Sequence, residues 1–186
     1  MGRYRVGLET RERILEATRE VLVEEGVEGA TLKVLTERAG VGAGSFYNLF
    51  DSKEAAILEV VREAIQAVDP DPGGLGEESP EDLVEAYIAF FTRDPIIARI
   101  YLQLAVGGGL TDERIAGRVL RSHRARAERF TAAIERSYPD AADPAGRAER
   151  LLAGLTGLAI TRLLDPGLPF ATHARQLRAD VLENQG

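Results

Sequence analysis

The residues with most chemistry to offer stand in one run, Gly42-Ala43-Gly44-Ser45-Phe46-Tyr47-Asn48, with Lys33 before it and Lys53 after it. The chemistry is hydrogen bonding to a polymer of bases and phosphates. Asn48 can hold an adenine through both polar atoms of its amide. Tyr47 can bond a phosphate oxygen. Gly42, Ala43 and Gly44 carry almost no side chain, so a backbone can press into a groove there. Two glycines inside a helix start would cost about 1 kcal/mol each in a chain built for stability alone. Lys33 and Lys53 are the only lysines in the chain, and each falls in the first turn of a predicted helix. Helix starts favour acids, because the dipole is positive there. A lysine in that place suits an external anion better than it suits the helix.

The elements around this run must hold it outward. Thr31 is an N-cap for a helix that buries Leu32, Leu35 and Ala39. Gly40 ends that helix, and Val41 is a small apolar plug. A second helix starts near Gly42, with Phe46 and Phe50 at i, i+4 pointing inward. Ala43, Gly44, Tyr47 and Asn48 are left on the outer face. Helix, tight turn and second helix make a helix-turn-helix layout. A helix over 10–25 precedes it, with Ile14, Leu15, Thr18, Val21 and Leu22 as its buried stripe. Residues 1–8 show no period and read as a flexible arm. A helix over 52–68 follows, capped by Asp51 or Ser52, with a seam from Ile57 to Val68.

The run AGVGAGSFYNLFDSKEAAI, with VLVEEGVEGATL before it, resembles the signature of TetR-family transcriptional regulators. The resemblance covers about residues 11–68. It implies a homodimer that binds double-stranded operator DNA through an N-terminal three-helix domain and a small molecule through its C-terminal domain. Thr31, Ala43, Gly44, Ser45, Tyr47 and Lys53 match positions that meet DNA in the family. Leu49 stands where the family often has His or another polar aromatic, and Gly42 where Ser is common. Each departure removes a backbone contact.

Charge sets a condition on this reading. The chain has a formal net charge of −7. Residues 1–68 alone carry 9 basic and 12 acidic side chains, net −3. Any DNA contact therefore rests on local positive charge: Arg3, Arg5, Arg11 and Arg13 at the start, and the two lysines. Apolar residues are 45% of the chain, too many for a disordered type. No signal peptide and no run of 18 apolar residues is present, so a soluble, cytoplasmic protein is expected, without membrane contact. There is no Cys, and the two histidines are His123 and His173. With no nucleophile elbow, metal-ligand spacing or carboxylate pair, no catalytic residue, metal or cofactor is expected, and the chain does not read as an enzyme.

Prolines and glycines break the pattern over 69–80, which is taken as the domain boundary. Beyond it lie predicted helices over 80–92, from Asp94-Pro95 to the glycines 107–109, over 111–137, 147–164 and 170–183. The fold class is therefore all-α, about nine helices. A helix-turn-helix domain covers 1–52, a connecting helix 52–68, and a ligand-binding and dimerisation bundle 69–186. Tyr87, Phe91, Ile97, Tyr101, Leu104, Val119, His123 and Phe130 are candidates to line a pocket between bundle helices. Two helices supply the dimer stripe: Leu151, Gly154, Leu155, Gly157, Leu158 and Thr161 on one, Phe170, Leu177 and Val181 on the other. Small residues there let a partner helix approach. Arg114, Arg118, Arg121, Arg124, Arg126 and Arg129 face a single acid, Glu128, over the same stretch. They are either a solvated face paired to neighbouring acids or a clamp for an anionic group.

The function expected is a ligand-responsive, sequence-specific transcriptional regulator. It is a repressor by family precedent, released from a palindromic operator by an apolar or amphipathic ligand. A fatty acyl-coenzyme A or free fatty acid fits both the apolar interior and the arginines, and RDPIIARIYL loosely resembles regulators of fatty-acid metabolism. The competing reading is a helical dimer that sequesters a ligand or protein without binding DNA.

Overall fold

The computed structural model describes residues 2–108 and 113–183, with side chains from residue 5 onward except that of Arg114. Gly109, Thr111 and the side chains of Arg3 and Arg114 lie outside the described residues. Among those described there are ten α-helices and no strand. The chain divides into two compact units.

The first unit runs to Ile65 and takes in Asp94–Tyr101 as well. It holds α1 (Gly2–Glu24), α2 (Gly26–Gly29), α3 (Leu32–Ala39), α4 (Ala43–Tyr47) and nearly all of α5 (Lys53–Gln66). Ile14, Val21, Leu22, Leu35, Phe46 and Ile57 are wholly buried and form its core. Thr18 is buried too, its hydroxyl donating to the Ile14 carbonyl at 2.7 Å. Arg38 of α3 reaches back to Glu20 and Glu24 of α1, at 3.2 and 2.8 Å.

Residues 1–8 were expected to be a flexible arm, but α1 is helical from Gly2. The packed half of α1, Ile14 to Leu22, supplies the costly nucleus, and each earlier residue then adds one hydrogen bond. Arg5 and Glu9 pair at 3.1 Å across one turn, and the Thr10 hydroxyl donates to the Val6 carbonyl at 2.8 Å. These turns bury little, since Val6 and Leu8 stay exposed. The short α2 opens at Gly26, whose φ is +73°. Ser52 caps α5 with its side chain, its hydroxyl accepting from the Ala55 N–H at 3.2 Å.

Phe46 has no exposed surface and meets Phe50, ring centroids 5.6 Å apart. Phe46→Ala should destabilise the first unit by about 3–5 kcal/mol. Denaturant unfolding checks this, and a loss under 1 kcal/mol would mean α4 is not anchored by that ring.

The second unit comprises Gln66–Arg93 and the described residues from Leu102 onward. It holds α6 (Pro80–Arg93), a π-helical turn (Leu104–Gly108) that follows α7 (Pro95–Gln103), α8 (Glu113–Ser137), α9 (Pro144–Leu164) and α10 (Phe170–Leu182). Asp94 caps α7, accepting from the Ile97 N–H at 3.3 Å, with Pro95 at the first helical position. The expected boundary near residue 69 thus misses that Asp94–Tyr101 belongs with the first unit. A capping box opens α6: the Asp82 N–H donates to the Ser79 hydroxyl, and the Ser79 N–H to the Asp82 carboxylate, at 3.2 and 2.9 Å.

The connection from α5 to α6 is tied to α8 by two arginines. Arg129 donates to both carboxylate oxygens of Asp69, at 2.9 and 3.2 Å, and to Glu78 at 2.9 Å. Arg136 donates to the Glu78 carbonyl at 2.6 Å. Inside the loop, Asp71 accepts from the Leu75 and Gly76 N–H groups, at 2.9 and 2.6 Å. Arg129 holds the Asp69 carboxyl below the usual range, and the Gly76 N–H first, then that of Leu75, do the same for Asp71. A depressed folded value means stability present above the unfolded value, about 4, and lost as pH falls through the folded one. Thermal stability of the second unit should therefore hold from pH 7 to 5 and decline below about pH 4. Asp69→Asn should flatten that decline; an unchanged profile would remove Asp69 from the account.

Candidate nucleic-acid interface

The interface is built from α3, the turn and α4. The Thr31 hydroxyl caps α3 by accepting from the Val34 N–H at 3.3 Å. Gly40 then turns the chain in the left-handed region, φ 63° and ψ 39°, which costs a non-glycine residue strain. The Gly40 N–H donates to the Glu37 carbonyl at 3.2 Å and the Val41 N–H to the Thr36 carbonyl at 3.0 Å. The turn sets α4 down with Phe46 inside. Helix α4 has five residues, and no side chain caps it. Such a helix is marginal alone. Phe46, with Phe50 one turn on, fixes its rotation.

That rotation determines what faces outward. Gly42, Ala43, Gly44, Ser45, Tyr47 and Asn48 are all exposed, Tyr47 at 56%. A Cβ added at Gly42 or Gly44 would meet no atom of the chain within 4 Å. Neither glycine has a positive φ. Nothing inside the protein therefore requires glycine at these two positions. Thr31 and Lys33 are exposed at the start of α3, and Lys53 is half-buried at the start of α5. Lys33 lies 4.0 Å from Glu37 and Lys53 3.9 Å from Glu54. Contacts that long between exposed groups contribute little, so both ammonium groups remain available to a stronger anion.

The positive charge expected at the chain start is partly committed elsewhere. Arg11 pairs with Glu59 and lies over the Phe50 ring, 5.7 Å from its centroid. It joins α1 to α5. Arg13 is exposed, its guanidinium 4.0 Å from where a Gly40 Cβ would stand, beside the turn.

The other candidate residues are placed differently from expectation. Ile97 and Tyr101 are buried in stretches belonging to the first unit, while Tyr87, Phe91, Leu104, Val119, His123 and Phe130 belong to the second. Phe91 stacks on Tyr87 at 4.9 Å and touches Phe170 at 5.7 Å. Phe170, expected at a dimer face, is thus in its own subunit's core, as are Leu151 and Leu155. Ring area this large is buried wherever the nearest helix allows. The Nε2 of His123 lies 3.1 Å from the Glu149 carboxylate on α9. Gly154 serves α9–α10 packing within one chain, since a Cβ there would fall 2.5 Å from a Leu177 methyl. Gly157, in contrast, meets nothing within 4 Å. Leu158, Leu177 and Val181 are half-buried and Thr161 is exposed. The exposed apolar surface of α9 runs through Ile160, Leu163 and Leu164, none of which was singled out from the sequence. An open cleft of about 430 Å³ lies between α8 and α9, lined by Arg124, Ala127, Glu128, Thr131, Glu135 and Glu149 among others. None of the eight candidate ligand residues lines it. Of the arginine series, Arg129 is half-buried and paired within the second unit, while Arg121 and Arg124 are exposed.

Comparison with known proteins agrees with this geometry. Residues 14–60 match the family described as "Bacterial regulatory proteins, tetR family". Over 52 residues, 28% of this chain, it is 38% identical to the HTH-type transcriptional regulator UidR of Escherichia coli, and the match spans 26% of that protein's length. Two solved structures share the fold along the chain. A transcriptional regulator of Aquifex aeolicus VF5 has TM-score 0.67 and 24% identity, covering 92% of this chain and 97% of that one. SmeT, the repressor of a Stenotrophomonas maltophilia multidrug efflux pump, solved with triclosan, has TM-score 0.69 and 20% identity, covering 94% and 90%. Among the described residues no helix is long and apolar enough to cross a membrane.

Proposed function

We infer, from the premise that residues 14–60 make this chain a TetR-family regulator, that it is a homodimeric, cytoplasmic repressor released from a palindromic operator by a small molecule. One observation carries the DNA-binding part: the start of α4 is bare of side chains for no internal reason, while Phe46 locks the opposite face. A backbone that close to solvent fits a major-groove wall. Asn48 then reads a base, and Tyr47, Ser45, Thr31, Lys33 and Lys53 hold phosphates.

Selection of bound duplexes from a random pool tests this. A two-fold symmetric sequence should emerge. Asn48→Ala should relax base choice at one position per half-site, a discrimination of about 1–3 kcal/mol. Lys53→Ala should weaken all sequences alike and lower the salt slope by about one. Identical base preferences for Asn48→Ala and wild type would remove Asn48 from the readout. A pool that yields no duplex favours the sequestering dimer, which the net −3 of residues 1–68 supports.

Ligand release requires differential affinity for two states. Moving a 99:1 population to 1:99 takes about 5.5 kcal/mol. An apolar or amphipathic effector is supported by the buried aromatic cluster around Phe91, and by SmeT having been solved with triclosan. An anionic head, as in a fatty acyl-coenzyme A, is supported by the exposed Arg121 and Arg124. Release of DNA by acyl-coenzyme A of graded chain length, set against a cationic apolar drug, separates the anionic ligand from a general apolar one.

A further inference from the structure

We propose that Lys33 and Lys53 form an acylation switch on the DNA face, modified by acyl phosphates or acyl thioesters; this rests on the DNA-binding reading above. The chain has 21 arginines and two lysines. The arginines carry the internal ion pairs: Arg11 to Glu59, Arg38 to Glu20 and Glu24, Arg129 to Asp69 and Glu78, Arg175 to Glu85, and Arg178 to Glu81. A guanidinium is always protonated and has no free lone pair to attack an acyl carbon. Lysine is the residue that acetylation neutralises. An acyl donor therefore leaves those ion pairs intact, and the side-chain amines it can acylate are those of the two lysines.

Lys33 stands at the start of α3, which packs against α4, and Lys53 at the start of α5, the next helix in the chain. The Lys33 side chain is 82% exposed. Lys53 is one third exposed, and its nearest carboxylate, Glu54, is 3.9 Å away. Neither ammonium is needed to hold the fold, so its loss costs binding and little stability.

The step balances without an oxidant. An ε-amine that has given a proton to water attacks the acyl carbon of acetyl phosphate. An N–C amide bond forms, the C–O bond to phosphate breaks, and hydrogen phosphate leaves with the amine's second proton. Each acylation removes one positive charge, taking residues 1–68 from net −3 to −5 when both react. Loss of one phosphate contact lowers the salt slope by about one and affinity roughly tenfold near 0.1 M salt.

The test uses the full chain, acetyl phosphate as the probe, peptide mass spectrometry and anisotropy on a duplex selected from a random pool. Both lysines should be acetylated in the free protein and protected when duplex is bound. Affinity should fall by about tenfold or more after treatment. The double variant Lys33→Arg, Lys53→Arg is compared with itself, before and after treatment, and should not respond. The proposal is overturned if acetylation at both sites leaves affinity unchanged, if neither lysine reacts, or if the double variant responds as the wild type does, which would point to the chain's α-amine. If the untreated chain binds no duplex, the regulator reading falls and this proposal with it; that failure is recognisable because it precedes treatment.

Discussion

Gly44→Leu should abolish specific DNA binding while the first unit unfolds at nearly the same denaturant concentration as wild type. The structure separates the two effects. A Cβ at Gly44 touches nothing within 4 Å and the backbone there is not left-handed, so the fold accepts a side chain. Leucine is a better helix former than glycine by somewhat under about 1 kcal/mol, so α4 should lose no stability. The whole cost then appears outside the protein, where four extra carbons stand between backbone and groove. A loss of at least about a hundredfold is expected, equivalent to roughly 2.7 kcal/mol. Anisotropy on the selected duplex measures it, with chemical unfolding as the control. Wild-type affinity in this variant would show that the start of α4 stands clear of the bases.

The second large effect belongs to Gly157→Arg. Gly157 is exposed on α9, and nothing lies within 4 Å of its missing side chain. Around it the surface is apolar: Ile160 is 39% exposed, Leu163 42% and Leu164 83%. An exposed apolar surface of this kind suits a contact between proteins. If two copies meet there about a two-fold axis, an arginine places a charge at a closely packed centre. The variant should run as a monomer by light scattering. It should also lose affinity for a palindrome by roughly 10²–10⁴, the advantage of linking two half-site contacts. A variant that stays dimeric would put the interface on another face.

Local signals were the legible ones. The cap at Thr31, the left-handed stop at Gly40 and the inward pair Phe46 and Phe50 depend on neighbours within a few residues, and the sequence carries all of them. What depends on distant partners was not legible. Arg11 read as charge for DNA, and nothing nearby in sequence marks Glu59 as its partner. Leu151, Leu155 and Phe170 read as surplus apolar face, because a helical pattern shows which side is buried but not against what. His123 read as a pocket-lining residue yet ends beside Glu149. The arginine series on α8 admitted two readings; for Arg129 the structure selects the structural one, through Asp69 and Glu78, both more than fifty residues away in sequence. The arm before residue 10 lacked a period of its own, and its helix is propagated from the packed turns that follow.

The place of Asp94–Tyr101 has a consequence for how the molecule comes into being. This stretch belongs with the first unit although all of Gln66–Arg93 intervenes. It supplies Asp94, which pairs with Arg19 at 3.0 Å, and the buried Ile97 and Ile100. The polypeptide thus crosses between the units three times, and a chain ending after α5 lacks a piece of its own first unit. On the ribosome, that unit must wait on the order of seconds after α5 emerges before its last segment arrives. Transplanting the DNA-reading half onto another body therefore takes two cuts of sequence, not one.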